Sequence, residues 1–222
     1  MKICWSANRE RGLTLVELFV VIAVIALLAM MLDIGPPRHA KARALRIQCV
    51  NNLKQTGLAF RVWAGDQTAR FPMQLSATNG GTMEFTTGLN AYKHFQIMSN
   101  ELSTPKVLIC PADPDRWVTI TNFNFMNNSN ISFFVGVDAT ETNVTMILSG
   151  DRNITNGMPF KNGLLEVTAD HPATWNEEMH NKVGNVLLAD GSVQQLSLTG
   201  VRHAEANTGV ATNRLQMPVI TP

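Results

Sequence analysis

The chain has 222 residues, enough for one folded domain with an appendage and a sizeable core. Hydrophobic residues make up 45% of it and charged residues 16%, and this charged share is low for a soluble protein. Eighteen basic residues against seventeen acidic ones leave a net charge of +1, and the body of the chain has no basic patch. This balance argues against nucleic acid as a partner.

Much of the apolar excess lies in residues 13–32, LTLVELFVVIAVIALLAMML. A run of this length can cross a bilayer as a helix, so we predict a transmembrane helix over residues 13–32. The preceding leader, residues 1–12, carries three basic residues and one acidic residue, which predicts a cytoplasmic amino terminus and an exported remainder. A conventional secretory signal fits poorly, because its apolar core is shorter and a small-residue cleavage site follows it.

Glu17 is the charged residue of this apolar run. A carboxylate at the centre of a membrane span costs roughly 2.5–3.5 kcal/mol, and less near an end, so Glu17 requires a partner. A cut after Gly12 would give Leu13 a free α-amine, and the amine of a neighbouring copy could neutralise Glu17 when subunits pack side by side. The helix dipole also favours a negative charge in the first turn. The alternative is a carboxylate that reaches the lipid headgroups.

The residues around Glu17 carry a resemblance to a known family. The segment RERG at residues 9–12, followed by LTLVE at residues 13–17 and the apolar run, resembles the class III signal of type IV pilins and type II secretion pseudopilins. The resemblance implies that a prepilin peptidase cuts after Gly12, that Leu13 becomes the methylated amino terminus, and that Glu17 acts in filament assembly. The family most often has Phe or Met where Leu13 stands.

Residues 33–64 are predicted to form an amphipathic helical segment outside the membrane. Pro36 and Pro37 lack backbone N–H groups and should kink or interrupt the helix. Beyond them a stripe recurs at steps of three or four, with the members Ala42, Leu45, Cys49, Leu53, Thr56, Phe60 and Trp63. Basic residues at the start of this segment could meet lipid headgroups or form a solvated turn. Together with residues 13–32, this segment would make one long helix. Its first half would anchor the chain in the membrane, and its second half would pack against the head.

Residues 65–222 are predicted to form a β-rich head. Five segments alternate or run apolar at strand length, namely residues 107–110, 131–137, 144–149, 185–189 and 192–198. Residues 90–102 predict a short helix. Asp190 and Gly191 lie between the last two strands and predict a two-residue hairpin turn, because glycine tolerates the positive φ that such a turn needs. The expected fold class is α+β, with a long amino-terminal helix packed against a mainly antiparallel sheet, as in pilins.

Later segments extend the resemblance to a bacterial pseudopilin-like branch. They are CVNNLKQ at residues 49–55, LICPAD at residues 108–113 and SGDRN at residues 149–153. The hallmark of that branch is a histidine separated by nine residues from Asp-Gly, which here runs from His180 to Asp190 and Gly191. The resemblance leaves the role of this element unexplained.

The chain contains three cysteines, Cys4, Cys49 and Cys110. If the residues after the apolar run are exported, Cys49 and Cys110 lie in an oxidising compartment and could form a disulfide. Such a bridge would contribute about 2–4 kcal/mol by closing a long loop. Two free, buried thiols are the alternative, since sequence alone does not bring the two Cα atoms together.

A metal hydrolase is the enzymatic alternative, because Asp170, His171, His180 and Asp190 are residue types that bind metals and transfer protons. Their spacing does not favour it. Asp170 and His171 are adjacent and point different ways in an extended segment, and the chain has no HExxH motif. The sequence therefore predicts no catalytic residues and no enzyme.

Calcium is the better cofactor hypothesis. Hard cations take carboxylate and carbonyl oxygens from loops, and the resemblance implies such an ion, since major pseudopilins hold one in their carboxy-terminal region. Candidate ligands are Asp113 with Asp115, or Asp151, or Asp170. The chain lacks a dense acidic ligand loop, so calcium binding stays open.

The favoured interpretation is a filament-forming pseudopilin subunit of a type II secretion-like system. Its implied partners are a prepilin peptidase, an inner-membrane assembly platform and other pilin-like subunits in a homo-oligomeric filament. The chain is expected to pass once through the bacterial inner membrane, with a periplasmic head, before it enters a periplasmic or surface filament. The alternatives are a surface type IV pilin of the minor class and, from another class, a membrane-tethered periplasmic enzyme.

Overall fold

The structure is a computed structural model of the chain, and it describes Gly12 and residues 14–32, 38–116 and 120–220. Predictions about residues 1–11, Leu13 and the two prolines at positions 36 and 37 lie outside the described residues. The chain divides into two compact units, with the boundary between Lys41 and Ala42.

The first unit contains helix α1, Leu15–Leu32. Thr14 and Glu17 begin this helix through reciprocal bonds. Thr14 N donates to Glu17 Oε2 at 2.8 Å, and Glu17 N donates to Thr14 Oγ1 at 3.3 Å. In such a capping box, each side chain satisfies a backbone N–H that the first helical turn leaves unpaired. The cap explains why α1 begins at Leu15.

The predicted fold class is wrong in its long amino-terminal helix. α1 has 18 residues and ends at Leu32, and α2, Arg38–Asp66, is a separate element. Among the described residues, no helix has the length and apolar character needed to cross a membrane. The predicted helix with a transmembrane half is therefore not found.

Helix α2 carries the predicted apolar stripe into the core of the second unit. Cys49 and Phe60 are fully buried, whereas Ala42 near the start of the helix is exposed. The ring of Phe60 packs edge-on against the rings of Phe71 and Phe95, with centroids 5.9 Å apart in both pairs. Aromatic pairs prefer this arrangement. The amphipathic helical segment predicted over residues 33–64 thus matches α2 from Arg38 onward.

The other helices and the strands of the described residues belong to the second unit. The α-helices are α3 (Ala91–Gln96), α4 (Ser99–Leu102) and α5 (Leu198–Asn207), and short 3-10 helices lie between them. The strands are β1 (Phe133–Gly136), β2 (Ile147–Asp151), β3 (Ile154–Thr155), β4 (Leu164–Thr168), β5 (Thr174–Trp175), β6 (Gly184–Leu188), β7 (Val193–Leu196) and β8 (Thr212–Gln216). One antiparallel sheet has the order β4-β8-β1-β2-β6-β7, and β3 pairs with β5. The α+β class with a mainly antiparallel sheet is confirmed.

Alternating residues of the central strands divide the core between the two faces of the sheet. In β1, Phe133 and Val135 belong to one cluster with Phe60 of α2. Phe134, between them, belongs to a second cluster with Val201 of α5. This alternation follows from strand geometry, in which successive side chains point to opposite faces. The sheet is therefore covered on both faces, by α2 and by α5.

The hairpin predicted at Asp190 and Gly191 is confirmed, although its turn is one residue longer than predicted. Leu188 N donates to Ser192 O at 2.9 Å, which leaves residues 189–191 as the loop between β6 and β7. Gly191 has φ +86°, a conformation that costs glycine little because it has no Cβ. Three-residue hairpin loops commonly end with a glycine in this conformation.

Asp190→Ala is expected to lower the free energy of unfolding by about 1 kcal/mol, because one intramolecular hydrogen bond is lost. Asp190 Oδ1 accepts this bond from Ser192 N at 2.7 Å. Denaturant unfolding of the parent and the variant measures the change. Asp190→Asn keeps an acceptor oxygen and serves as the control, so an equal loss in both variants would contradict the assignment.

Two of the predicted head segments differ from the structure. Residues 107–110 do not form a strand, because the 3-10 helix Pro105–Leu108 occupies this position. Pro105 at its first position favours a helical turn, since proline there loses no hydrogen bond, and Thr104 Oγ1 accepts from Lys106 N. The helix predicted over residues 90–102 is divided into α3 and α4.

Candidate functional site

Four side chains from distant parts of the second unit meet in one buried group, which we call the Cys/His/Asp cluster. Cys49 comes from α2, Cys110 from the turn after the 3-10 helix that ends at Leu108, Asp151 from the end of β2 and His180 from the turn before β6. One ligand atom of each lies within 4.8 Å of the others. No other group of three or more such donors at this spacing occurs in the part of the chain that the structure describes.

The closest distances in the cluster form a chain of contacts. Cys49 Sγ donates to Asp151 Oδ1 at 3.1 Å, and Cys110 Sγ lies 3.3 Å from His180 Nε2. His180 Nε2 lies 3.4 Å from Asp151 Oδ2. The two cysteines and the aspartate are fully buried, and 3% of the His180 side chain is exposed. Both cysteines are free thiols in this structure, which is the alternative that the sequence left open beside a disulfide.

A second layer of polar groups orients the cluster. The backbone N and the side-chain Nδ2 of Asn185 both donate to Asp151 Oδ2 at 2.8 Å. Because Asn185 engages this oxygen twice, the other carboxylate oxygen is directed toward Cys49. On the opposite side, Arg46 Nη2 donates to the carbonyl oxygen of His180 at 3.4 Å. The carboxylate and the histidine backbone are therefore both held in place from outside the cluster.

The backbone that presents His180 lies in an unfavourable conformation. His180, Asn181 and Lys182 have φ values of 52°, 55° and 62°, in the left-handed region. Residues with a Cβ pay about 1–2 kcal/mol each there and visit it mostly as single residues. Such strain persists only where the surrounding structure imposes it, and it concentrates at functional sites. Here it directs the imidazole into the cluster.

Burial governs the protonation of the cluster. Burial raises the pKa of the Cys49 thiol. Burial also raises the pKa of Asp151 to about 6, although hydrogen bonds from Cys49 and Asn185 act in the opposite direction. Burial, together with the Arg46 guanidinium, lowers the pKa of His180 to about 4. At neutral pH the cluster therefore holds a protonated thiol at Cys49, a mostly ionised carboxylate and a neutral imidazole.

A cavity of about 820 Å³ adjoins the cluster. Of the four cluster residues, His180 lines it, together with Arg46 and Asn181. The cluster is thus closed to solvent on the side of its two thiols and lies one side chain away from an open cavity.

An ion-pair network centred on Arg152 lies beside the cluster in sequence and is separate from it. Arg152 Nε and Nη2 donate to the two carboxylate oxygens of Asp113 at 2.8 and 2.7 Å. Arg152 also donates to Asp115 at 2.7 Å and to Glu178 at 2.6 Å. Two of the four aspartates proposed as calcium ligands are therefore already paired with a guanidinium.

The remaining calcium candidates do not join them. Asp151 belongs to the Cys/His/Asp cluster, and Asp170 is exposed in the turn after β4. Within the described residues, the predicted aspartates thus form no shared oxygen-lined site. Of the four residues considered for a hydrolase, His180 alone enters the cluster, while Asp170, His171 and Asp190 are exposed.

The second candidate site is the start of α1. Gly12 is exposed, and Glu17 Oε2 accepts both the backbone N of Thr14 and its hydroxyl, at 2.8 and 2.9 Å. The cap therefore gives Glu17 a local partner, which was not foreseen from the sequence. From Leu15 to Met30, the large apolar side chains of α1 are 48–75% exposed. This helix presents an apolar surface on every side.

The sequence did not single out the four residues of the cluster as one site. Cys49, Cys110, Asp151 and His180 each lie in a different segment that carries the family resemblance, and the fold brings these segments together. Comparisons of the chain with protein-family models, with curated proteins and with solved structures found no match.

Proposed function

We propose that the chain is a pilin-like filament subunit of the pseudopilin type, processed at Gly12 and assembled through α1. The observation that carries this proposal is the apolar surface of α1, whose large side chains are exposed all around the helix. Full burial of a Leu, Val, Ile or Phe side chain contributes about 1.5–3 kcal/mol. A helix that exposes about a dozen of them therefore gains strongly from any contact that covers them.

The occupant that we propose for this surface is α1 of other copies of the chain. In a bundle of identical apolar helices, each helix is covered on all sides. A single groove on another protein would cover only one side. The resemblance of residues 9–17 to the prepilin signal supports the same occupant. Partners under this proposal are a prepilin peptidase, an inner-membrane assembly platform and other pilin-like subunits, with the head on the periplasmic side. The chain supplies contacts and no catalysis.

Glu17 has two roles in this proposal. Through Thr14 it caps α1, which fixes its carboxylate in the first helical turn. In the filament it accepts the free amine at Leu13 of a neighbouring copy, so that each subunit pairs its carboxylate with the next amine. A charge left unpaired among apolar helices is costly, so this pairing sets the register of the subunits.

Glu17→Gln is expected to leave processing and the helix intact while reducing assembled protein about tenfold or more. Glutamine can replace glutamate in a capping box, so this variant removes the charge without removing the cap. Each loss of about 1.4 kcal/mol at a contact is a factor of ten in association. Electron microscopy and quantification of sheared filaments, from cells that carry the assembly machinery, measure the effect.

Thr14→Ala is the matched control, because it removes the capping hydroxyl and keeps the charge. We expect it to assemble like the parent chain. Filaments of normal yield from Glu17→Gln would contradict the charge pairing, since the cap alone would then explain Glu17. Mass spectrometry of the native protein tests the proposal as a whole: a mature chain that retains its first twelve residues would exclude it.

A further inference from the structure

We infer that Cys49, Cys110, Asp151 and His180 bind one divalent cation of the zinc class. The inference rests on the second unit alone and is independent of the filament proposal. It assigns a role to the histidine of the His180 to Asp190-Gly191 element, which the family resemblance leaves unexplained.

The donor set favours zinc over the hard cations. Two thiolates, one imidazole and one carboxylate are the ligand types that Zn²⁺ takes in proteins, whereas Ca²⁺ and Mg²⁺ require oxygen. Thiolate ligands select zinc, copper(I) and iron–sulfur clusters, and mixed sulfur and nitrogen donors at tetrahedral corners indicate zinc. Calcium, the cofactor considered from the sequence, would find one oxygen ligand here.

The distances suit a tetrahedral ion. With the usual zinc–ligand bond lengths, neighbouring donor atoms of a tetrahedral site lie about 3.3–3.8 Å apart. In the cluster, Cys49 Sγ lies 3.1 Å from Asp151 Oδ1 and Cys110 Sγ lies 3.3 Å from His180 Nε2. The 3.4 Å contact of His180 Nε2 is with the other carboxylate oxygen, Asp151 Oδ2. No ligand atom of the four is more than 4.8 Å from another. The three contacts therefore need shifts of a few tenths of an ångström, and the widest separation must close by up to about 1 Å to complete the coordination.

The surroundings are those of a built site. Metal-binding carboxylates are commonly fixed by further hydrogen bonds, and Asn185 supplies two to Asp151 Oδ2, which leaves Oδ1 to face the cation. The left-handed backbone at His180, Asn181 and Lys182 directs the imidazole inward. A purely apolar core would need neither feature. His180, the one donor that lines the cavity of about 820 Å³, is the side of the cluster nearest to solvent.

The cation would act in the structure of the head and not in catalysis. All four corners of the tetrahedron come from the protein, and closed sites of this kind are structural. The ligands come from α2, the turn at Cys110, the end of β2 and the turn before β6. One ion would therefore link α2 to strand β2. It would also fix the two turns that carry Cys110 and His180.

Metal titration of the full chain tests the inference. The chain is purified with a reductant in mild detergent, stripped with a chelator, and titrated with Zn²⁺ in competition with a chromophoric chelator. We expect one equivalent per chain and a melting temperature that rises with excess Zn²⁺. Co²⁺ in place of Zn²⁺ should show thiolate-to-cobalt charge transfer and the intense visible bands of a tetrahedral site.

Cys110→Ser and His180→Gln should each weaken Zn²⁺ binding by more than about 100-fold, since loss of a second-layer partner alone costs roughly 10–100-fold. His171→Gln is the matched control, because His171 is exposed and outside the cluster. Circular dichroism without metal identifies any variant that fails to fold, and the cobalt spectrum of the parent chain then decides. Absence of stoichiometric uptake by the reduced parent, or undiminished uptake by both ligand variants, would overturn the inference. The inference would also be overturned if Cys49 and Cys110 form a disulfide and the chain, after its reduction, still takes up no Zn²⁺.

Discussion

Replacing Arg152 with methionine is expected to lower the free energy of unfolding by about 3–5 kcal/mol, the usual cost of breaking a buried ion pair from one side. Arg152 engages both oxygens of Asp113, whose side chain is fully buried. The variant would leave this carboxylate without its charge partner and away from water. Denaturant unfolding at neutral pH, followed by circular dichroism, measures the loss.

Two further variants define what this loss means. Lys182→Met removes an ion pair with Glu177 in which the side chains are 66% and 72% exposed, and it should cost about 0–1 kcal/mol. Arg152→Met combined with Asp113→Leu removes both buried charges and should recover much of the stability, because the penalty comes from the abandoned carboxylate. A loss in Arg152→Met no larger than that in Lys182→Met would show that the network contributes little.

Local sequence patterns were sufficient to predict a helix that packs on one face and a hairpin that closes at a glycine turn. The stripe that contains Cys49 and Phe60 predicted α2, because a helix that packs on one face must repeat its apolar residues every three or four positions. Asp190 and Gly191 predicted the hairpin between β6 and β7 through the backbone freedom of glycine. The edge strand β4 and the strand β8 were not predicted, since β8 includes polar residues such as Asn213 and Arg214 that pair across the sheet.

The start of α1 was predictable and was missed. Thr14 and Glu17 stand three residues apart directly before an apolar run, which is the pattern of a capping box. The prediction instead treated Glu17 as a carboxylate that lacks any local partner. With the cap in place, the helix begins at Leu15, and the proposal of assembly rests on the apolar surface of α1 as well as on the charge of Glu17.

The Cys/His/Asp cluster could not be predicted from spacing. Cys49 and Asp151 are 102 residues apart, and Cys110 and His180 are 70 residues apart. Metal motifs that can be recognised in a sequence place their ligands within a few residues on one helix or loop. Here each ligand comes from a different element, so the fold of the sheet and of α2 had to be known first.

Between pH 6.5 and pH 4, the parent chain is expected to lose about 3 kcal/mol of stability relative to a variant in which His94 is replaced by Gln. Gln216 Oε1 accepts from His94 Nε2 at 2.6 Å, so His94 Nδ1, 2.7 Å from Thr82 Oγ1, is the acceptor of the ring. Burial lowers the pKa of His94 to about 4, even though the bond to Gln216 acts in the opposite direction. The unfolded chain therefore takes up this proton first. Stability is fully present above the unfolded pKa and is lost as the pH falls toward 4.

The comparison with His94→Gln is needed because other buried groups titrate in the same range. His180, with a pKa of about 4, adds a loss of the same sign, whereas burial raises the pKa of Glu205 to about 7. The Glu205 contribution is therefore present at low pH and is lost as the pH rises. Subtracting the pH profile of His94→Gln from that of the parent cancels these contributions, together with that of Asp151, whose pKa burial raises to about 6. His203→Gln, at an exposed position, serves as the control substitution. Parallel pH profiles for the parent and His94→Gln would contradict the prediction. They would mean that His94 is protonated as readily in the folded chain as in the unfolded one, despite its burial between Thr82 and Gln216.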